Sequence, residues 1–299
     1  MNQTYRKQVG LLLSVLPEVA KETCFAMHGG TAINLFVRDM PRLSVDIDLT
    51  YVEISPREHA LASINKALMR IKGRIERLLP RVRVHHSSDA CKLQLDEGGM
   101  LIKIEVNMVG RGLLGAPEER PLCNAAQETF DAFCVMSLVP RPQLYGGKLC
   151  AALDRQHPRD LFDIKLLLEN EGLNDEIRPG LVYGLVCSNR PTHEMLDPNL
   201  LDQRATFENQ FEGMSALAFT YENYEQVRQG LIKRVREALG EKDRIFLSSF
   251  NRLEPEWSIY NFQDFPSVKW KLFNLERFKQ TRPGAYAKQL RLLEKILDR

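Results

Sequence analysis

The sequence predicts an α/β protein of the α+β kind, with an α/β domain over residues 1–135 and a mostly helical domain over 136–299. Three observations carry this. Several short N-terminal segments alternate apolar and polar residues with period two, and the segments between them repeat at helical spacing. After about residue 135 strand signals are few and helical spacing dominates. Between residues 120 and 142, Pro140 and Pro142 follow a turn-rich stretch at 110–121 and mark a boundary. A chain of 299 residues suits one large or two medium domains.

Each element has its own signal. Val9, Leu12, Leu13, Leu16 and Val19 recur at helical spacing within 6–22. Cys24 to His28 is a short apolar strand, broken by Gly29 and Gly30; Thr31 to Arg38 reads as a short helix. A turn with Pro41 leads into a strand over 45–52. Residues 56–79 form the clearest helix, with Ile64, Leu68, Ile71, Ile75 and Leu78 on one face. Strands follow at 81–86, 91–96 and 100–109. In the last, Ile102, Ile104, Val106 and Met108 face one way, and Lys103, Glu105 and Asn107 the other. Helices are expected at 143–155, 159–170, 174–188, 222–239 and 284–298.

Composition narrows the class. Hydrophobic content of 44% and charged content of 27% are ordinary for a globular protein, and a net charge of +2 does not mark a nucleic-acid binder as a whole. The N-terminus has no signal-peptide pattern and no run of 18 apolar residues exists, so a cytoplasmic protein without a membrane span is expected. The six cysteines are scattered and none forms a CxxC pair, which argues against a zinc site.

The chemistry concentrates in two short segments, His28-Gly29-Gly30-Thr31 and Arg42 to Leu49. On a strand, residues i and i+2 share a face about 6.5–7 Å apart, so Asp46 and Asp48 can converge on one cation while Ile47 and Leu49 enter the core. Magnesium, or manganese, favours a few carboxylates plus substrate phosphate oxygens. Gly29 and Gly30 sit between strand and helix, where a backbone without Cβ atoms can approach phosphate and a helix start offers N–H donors. Together they suggest a nucleoside triphosphate held at the glycines and bridged to metal at Asp46 and Asp48. Glu105 is the best third carboxylate, as metal ligand or base. A lone DxD or a lone GG is more often structural; their order along the chain favours function.

Lys148 and Arg155 lie seven apart on one helix face, where two cations could neutralise a leaving pyrophosphate. His157-Pro158 looks like a helix start. Asp160, in its first turn, suits a dipole charge and a functional acid about equally. Asp163, on the same face, is read as orienting Lys148 or Arg155, with a structural ion pair as the alternative.

These motifs resemble the polymerase-beta-like nucleotidyltransferases, and more closely the AbiEii/AbiGii-type toxins that include the MenT toxins. The resemblance lies in GGTAINLF, RLSVDIDL, Lys148 in YGGKLCAALDR, Arg159-Asp160-Leu161-Phe162-Asp163 and SNRPTHEMLDP at 188–198, and spans roughly residues 23–200. It implies a mixed sheet, metal-binding Asp46 and Asp48, a phosphate-contacting Lys148 and a further acid at Asp163 in a cleft completed by the helical domain. It also implies nucleotide transfer from a triphosphate, often to the tRNA 3′ end, and a cognate antitoxin, often a transcriptional regulator. The broader superfamily has Gly-Ser where this chain has Gly29-Gly30, which puts a side-chain phosphate contact in doubt but not a backbone one.

Two basic regions would suit an RNA backbone. Residues 57–86 hold eight Lys/Arg against two acids, with Lys66, Arg70, Arg74, Arg77 and Arg81 as a stripe. Residues 269–299 hold nine cations, Arg299 among them, against three acids. Ser44, two residues before Asp46, is a possible phosphorylation site whose added charge would disturb the metal carboxylates. Transfer to RNA is the first reading. A protein or small-molecule acceptor, and a non-catalytic RNA- or protein-binding module, are the alternatives.

Overall fold

The computed structural model describes residues 2–298, so Arg299 lies outside the described residues. By internal contacts the chain forms two compact units. The first runs to Pro140 and takes in Phe211–Ala218; the second comprises Arg141–Gln210 and the chain from Phe219 onward.

The first unit is built on a seven-stranded mixed sheet: β1 (Phe25–His28), β2 (Asp46–Tyr51), β3 (Arg83–Ser87), β4 (Lys92–Glu97), β5 (Met100–Asn107), β6 (Glu118–Pro121) and β7 (Val135–Leu138). Their order is β3-β4-β5-β2-β1-β7-β6. β2 runs parallel to β5 and antiparallel to β1, and β1 runs parallel to β7. Ile47, Leu49, Ile102, Ile104, Leu93 and Leu95 are buried on the apolar face. Helices α1 (Gln3–Ala20) and α3 (Arg57–Leu78) bury the stripes read from their spacing, and they touch each other and the sheet. Between β1 and β2, α2 (Gly29–Ala32) widens into a π-helical turn over Ile33–Val37, a distortion often found at functional sites.

The segment between 110 and 142, read from sequence as turn-rich, holds β6, β7 and the helix α4 (Asn124–Phe130) between them. Four-residue strands are too short to show a period, and β7 is placed by its pairing with β1 and β6. A single cut at 135/136 also omits the return of Phe211–Ala218. In that segment the Gly213 carbonyl accepts from Asn2 N–H and the Met214 carbonyl from Leu43 N–H, and Ser215 bridges to Arg42.

The second unit is helical: α5 (Arg141–Asp154), α6 (Pro158–Asn170), α7 (Arg178–Cys187), α8 (Thr192–Leu196), α9 (Arg204–Gln210), α10 (Tyr221–Ala238), α11 (Glu241–Asn251), α12 (Pro266–Thr281) and α13 (Pro283–Leu297). α5 and α7 touch backbone to backbone: a Cβ on Gly146 would lie 2.1 Å from the Gly180 carbonyl carbon. Only glycine permits that approach, and it seats α5, which carries Lys148, firmly in the unit. Among the described residues no helix is long and apolar enough to cross a membrane.

Candidate active site

Asp46 and Asp48 lie at the start of β2, half-buried, on the polar face. Register carries the face to its neighbours. Asp46 stands beside Lys103, Asp48 beside Glu105 on β5, and His28 on β1 faces Asp48 from the other side. Paired residues point to the same side of a sheet, so His28, Asp46, Asp48, Lys103 and Glu105 share one surface.

The glycine turn is fitted to this strand. Gly29 has φ +78°, a left-handed conformation, and a Cβ there would meet Asp48 Oδ2 at 2.3 Å. Its backbone therefore lies directly against the second aspartate. A Cβ on Gly30 would meet Arg42 Nη2 at 2.7 Å and Ser44 Oγ at 3.0 Å. Arg42 is almost wholly buried and donates from Nη1 to the Leu43 carbonyl at 2.9 Å. Thr31 ties α2 to the strand: its hydroxyl lies 3.0 Å from Ser44 Oγ and donates to the Asp46 carbonyl. The two segments singled out from the sequence contain Thr31, Arg42 and His28, but spacing assigned none of them a role. The signal for the first two was their place beside the glycines and in RLS, just ahead of DIDL.

Ser44 precedes the strand, and its hydroxyl is buried against Thr31. This corrects the expectation of a modification site: the hydroxyl is a packing contact with no open approach for a kinase. Glu105 shares the aspartate face, but its carboxylate pairs with Lys92 of β4. Among the described residues, no three His, Cys, Asp or Glu side chains are grouped to hold one ion. The carboxylate pair, with backbone rather than side chain packed beside it at Gly29, fits an ion that takes its other ligands from substrate oxygens and water.

The second cluster lies in the helical unit. Lys148, 6% exposed, is 2.8 Å from Asp160 Oδ1 and 3.1 Å from Asp163 Oδ2. Arg155 Nε donates to Asp160 Oδ2 at 2.6 Å. The expected helix start is present: His157 is the N-cap, its ring accepting from Arg159 N–H at 3.1 Å, and Pro158 opens α6. Asp160 bridges both cations. Burial alone would raise its pKa, but Lys148 and Arg155 outweigh that and hold the carboxyl well below the usual range.

The basic stripe of α3 is in part structural. Arg70 pairs with Glu22 at 2.5 Å, and Arg74 with Glu22 at 2.7 Å and Glu18 at 3.2 Å, joining α3 to the end of α1 and the turn after it. Lys66, Arg77 and Arg81 keep the exposed positions of the stripe.

The first unit thus carries a glycine turn against a same-face aspartate pair, and the helical unit a buried lysine between two acids. The family model "Nucleotidyl transferase AbiEii toxin, Type IV TA system" matches residues 11–274, and the chain belongs to that family. Among solved structures it is similar to MenT4, a nucleotidyltransferase toxin from Mycobacterium tuberculosis H37Rv, with TM-score 0.60 and 11% identity over 91% of this chain and 93% of that one. That likeness shows a common fold. No curated protein matches the chain.

Proposed function

We propose that the protein transfers a nucleotide from a nucleoside triphosphate to an RNA hydroxyl, most specifically at the 3′ end of tRNA, with release of pyrophosphate. The observation that carries the proposal is the contact of the Gly29 backbone with Asp48 on a strand face shared with Asp46. Asp46 and Asp48 would hold Mg²⁺, or Mn²⁺, which when bound supplies charge neutralisation for the triphosphate. Gly29 and Gly30 offer backbone to the phosphates without side-chain obstruction.

In the reaction the acceptor oxygen attacks the α-phosphorus, and the bond to the β-phosphate oxygen breaks. The hydroxyl proton passes to a carboxylate of the polar face, for which Glu105 is the proposed group once Lys92 releases it. Lys148 and Arg155 are the proposed cations for the departing phosphates. Asp160 and Asp163, at 2.8 and 3.1 Å from the Lys148 ammonium, are the proposed positioning residues that orient it. The type IV toxin–antitoxin family implies an antitoxin partner. A separately encoded regulator is the proposed form.

The test uses the purified protein with Mg²⁺, total RNA and each of the four labelled triphosphates separately. Label on tRNA that disappears in Asp48→Ala supports the proposal. Label on protein or a small molecule would replace the acceptor, and no metal-dependent transfer to any acceptor would overturn the reading.

A further inference from the structure

The helical unit contains a cavity of about 280 Å³ that the transfer chemistry does not use. Asn189, Pro191, Lys271, Asn274, Phe278 and Gln289 line it. Two of these come from SNRPTHEMLDP, a motif the proposed chemistry leaves without a role. The others come from α12 and α13, in the basic C-terminal region.

Its lining combines apolar surface with several polar side chains. The Lys271 ammonium is buried, and it donates to the Ser188 carbonyl at 2.6 Å and the Arg190 carbonyl at 2.8 Å. An ammonium has three donors, so one remains. The side-chain amides of Asn189, Asn274 and Gln289 make no hydrogen bond among the described residues. Each amide offers both donors and an acceptor. Phe278 and Pro191 supply apolar surface. Such a lining suits a small, flat, neutral molecule with carbonyl and amino edges. The volume falls below the roughly 300–1,000 Å³ of drug-sized sites, so it admits one heterocycle and not a nucleoside triphosphate.

The next face of α12, about 100° round the helix, carries a second feature. Trp270 and Phe273 are 49% and 55% exposed, and their rings stack with centroids 5.8 Å apart and planes 22° apart. Arg277 continues that face one turn on, exposed. Exposed aromatic rings beside cations are how proteins stack unpaired bases while tracking the phosphates. The α12–α13 region supplies the charge for it, with eight described cations against three acids.

We propose that the α12–α13 cavity receives one unstacked base of a single-stranded RNA acceptor, with Trp270 and Phe273 stacking the next nucleotides. The identification of the ligand as RNA rests on the function proposed above. Lys271 and the three amides read the base edge, and Phe278 covers part of its face.

The test is fluorescence anisotropy of the full chain with a labelled 12-nucleotide RNA single strand and with the same strand in a duplex. Single-strand binding should be at least about tenfold tighter than duplex binding. Asn274→Leu and Gln289→Leu, which remove the edge-reading amides and leave the Lys271 contacts intact, should each weaken single-strand binding about tenfold at unchanged thermal stability. Trp270→Ala, with its ring already half in solvent, should do the same. Equal affinity for duplex and single strand, or full affinity in both cavity variants, would overturn the inference. Failure of the function is read separately: a protein that transfers no label to RNA, yet binds single strands through this cavity, would sink the first proposal and leave the second standing. Asp48→Ala should bind the single strand like the parent.

Discussion

The two acidic clusters differ in how deeply their carboxylates are buried. On β2, Asp46 and Asp48 are placed by strand period and backbone packing, with Gly29 pressed against Asp48 and the strand face half open. In the helical unit, Asp160 and Asp163 are almost fully buried and answered by Lys148 at 2.8 and 3.1 Å. The first arrangement leaves its carboxylates half-buried on the polar face of the sheet. The second satisfies its charge internally, because an unpaired buried ion costs several kcal/mol. A substitution in the first should therefore be read in activity, and one in the second in stability as well.

Asp48→Ala gives the largest expected separation. Nucleotide transfer should fall by more than about 100-fold, beyond what is typical for residues that only support a metal ligand, while the urea unfolding midpoint stays near that of the parent. A collapse of stability with the activity would erase the contrast. Lys148→Ala should do the reverse in part. It takes an ammonium away from two buried carboxylates, so unfolding free energy should drop by about 3–5 kcal/mol in denaturant titrations.

Gly29→Ala sharpens the first half of the comparison. The new methyl would occupy the place of Asp48 Oδ2, and the left-handed backbone costs about 1–2 kcal/mol for a side chain. A displaced carboxylate should lower transfer by up to about 100-fold, with a stability loss far smaller than that of Lys148→Ala. Normal activity would show that the glycine turn does not align Asp48.

The smallest effect is the pH dependence of the helical unit. The carboxyl of Asp160 titrates below its ordinary value of 3.8, so its contribution to stability is complete above that value and is lost as the pH falls through the lower, folded one. Thermal unfolding from pH 7 down to pH 2 should show the parent converging on Asp160→Asn below about pH 4. Parallel curves over the whole range would mean that the ion pairs do not hold that carboxyl down.

Much of this was legible in the chain. The helices over α1 and α3 repeat apolar residues for several turns, and DIDL carries its own geometry because period two decides which side each residue takes. The same holds for Pro158 and the α5–α6 pair, where local rules place both ends. Other features were not legible. Four-residue β6 and β7 depend on pairing with distant strands, the return of Phe211–Ala218 depends on hydrogen bonds to Asn2 and Leu43, and the basic stripe of α3 gave no hint that Arg70 and Arg74 face acids near the end of α1.

The sequence by itself determined that two aspartates share one strand face behind a glycine turn, since both follow from backbone periods and the missing Cβ. Tertiary structure alone decided which groups those residues meet. Contacts between segments far apart in the chain set Gly29 against Asp48, gave Lys92 to Glu105, buried Ser44 against Thr31, and gathered the lining of the α12 cavity. The physical reason is range: spacing fixes direction within an element, whereas burial and ion pairing are settled by whatever the rest of the chain brings to that surface.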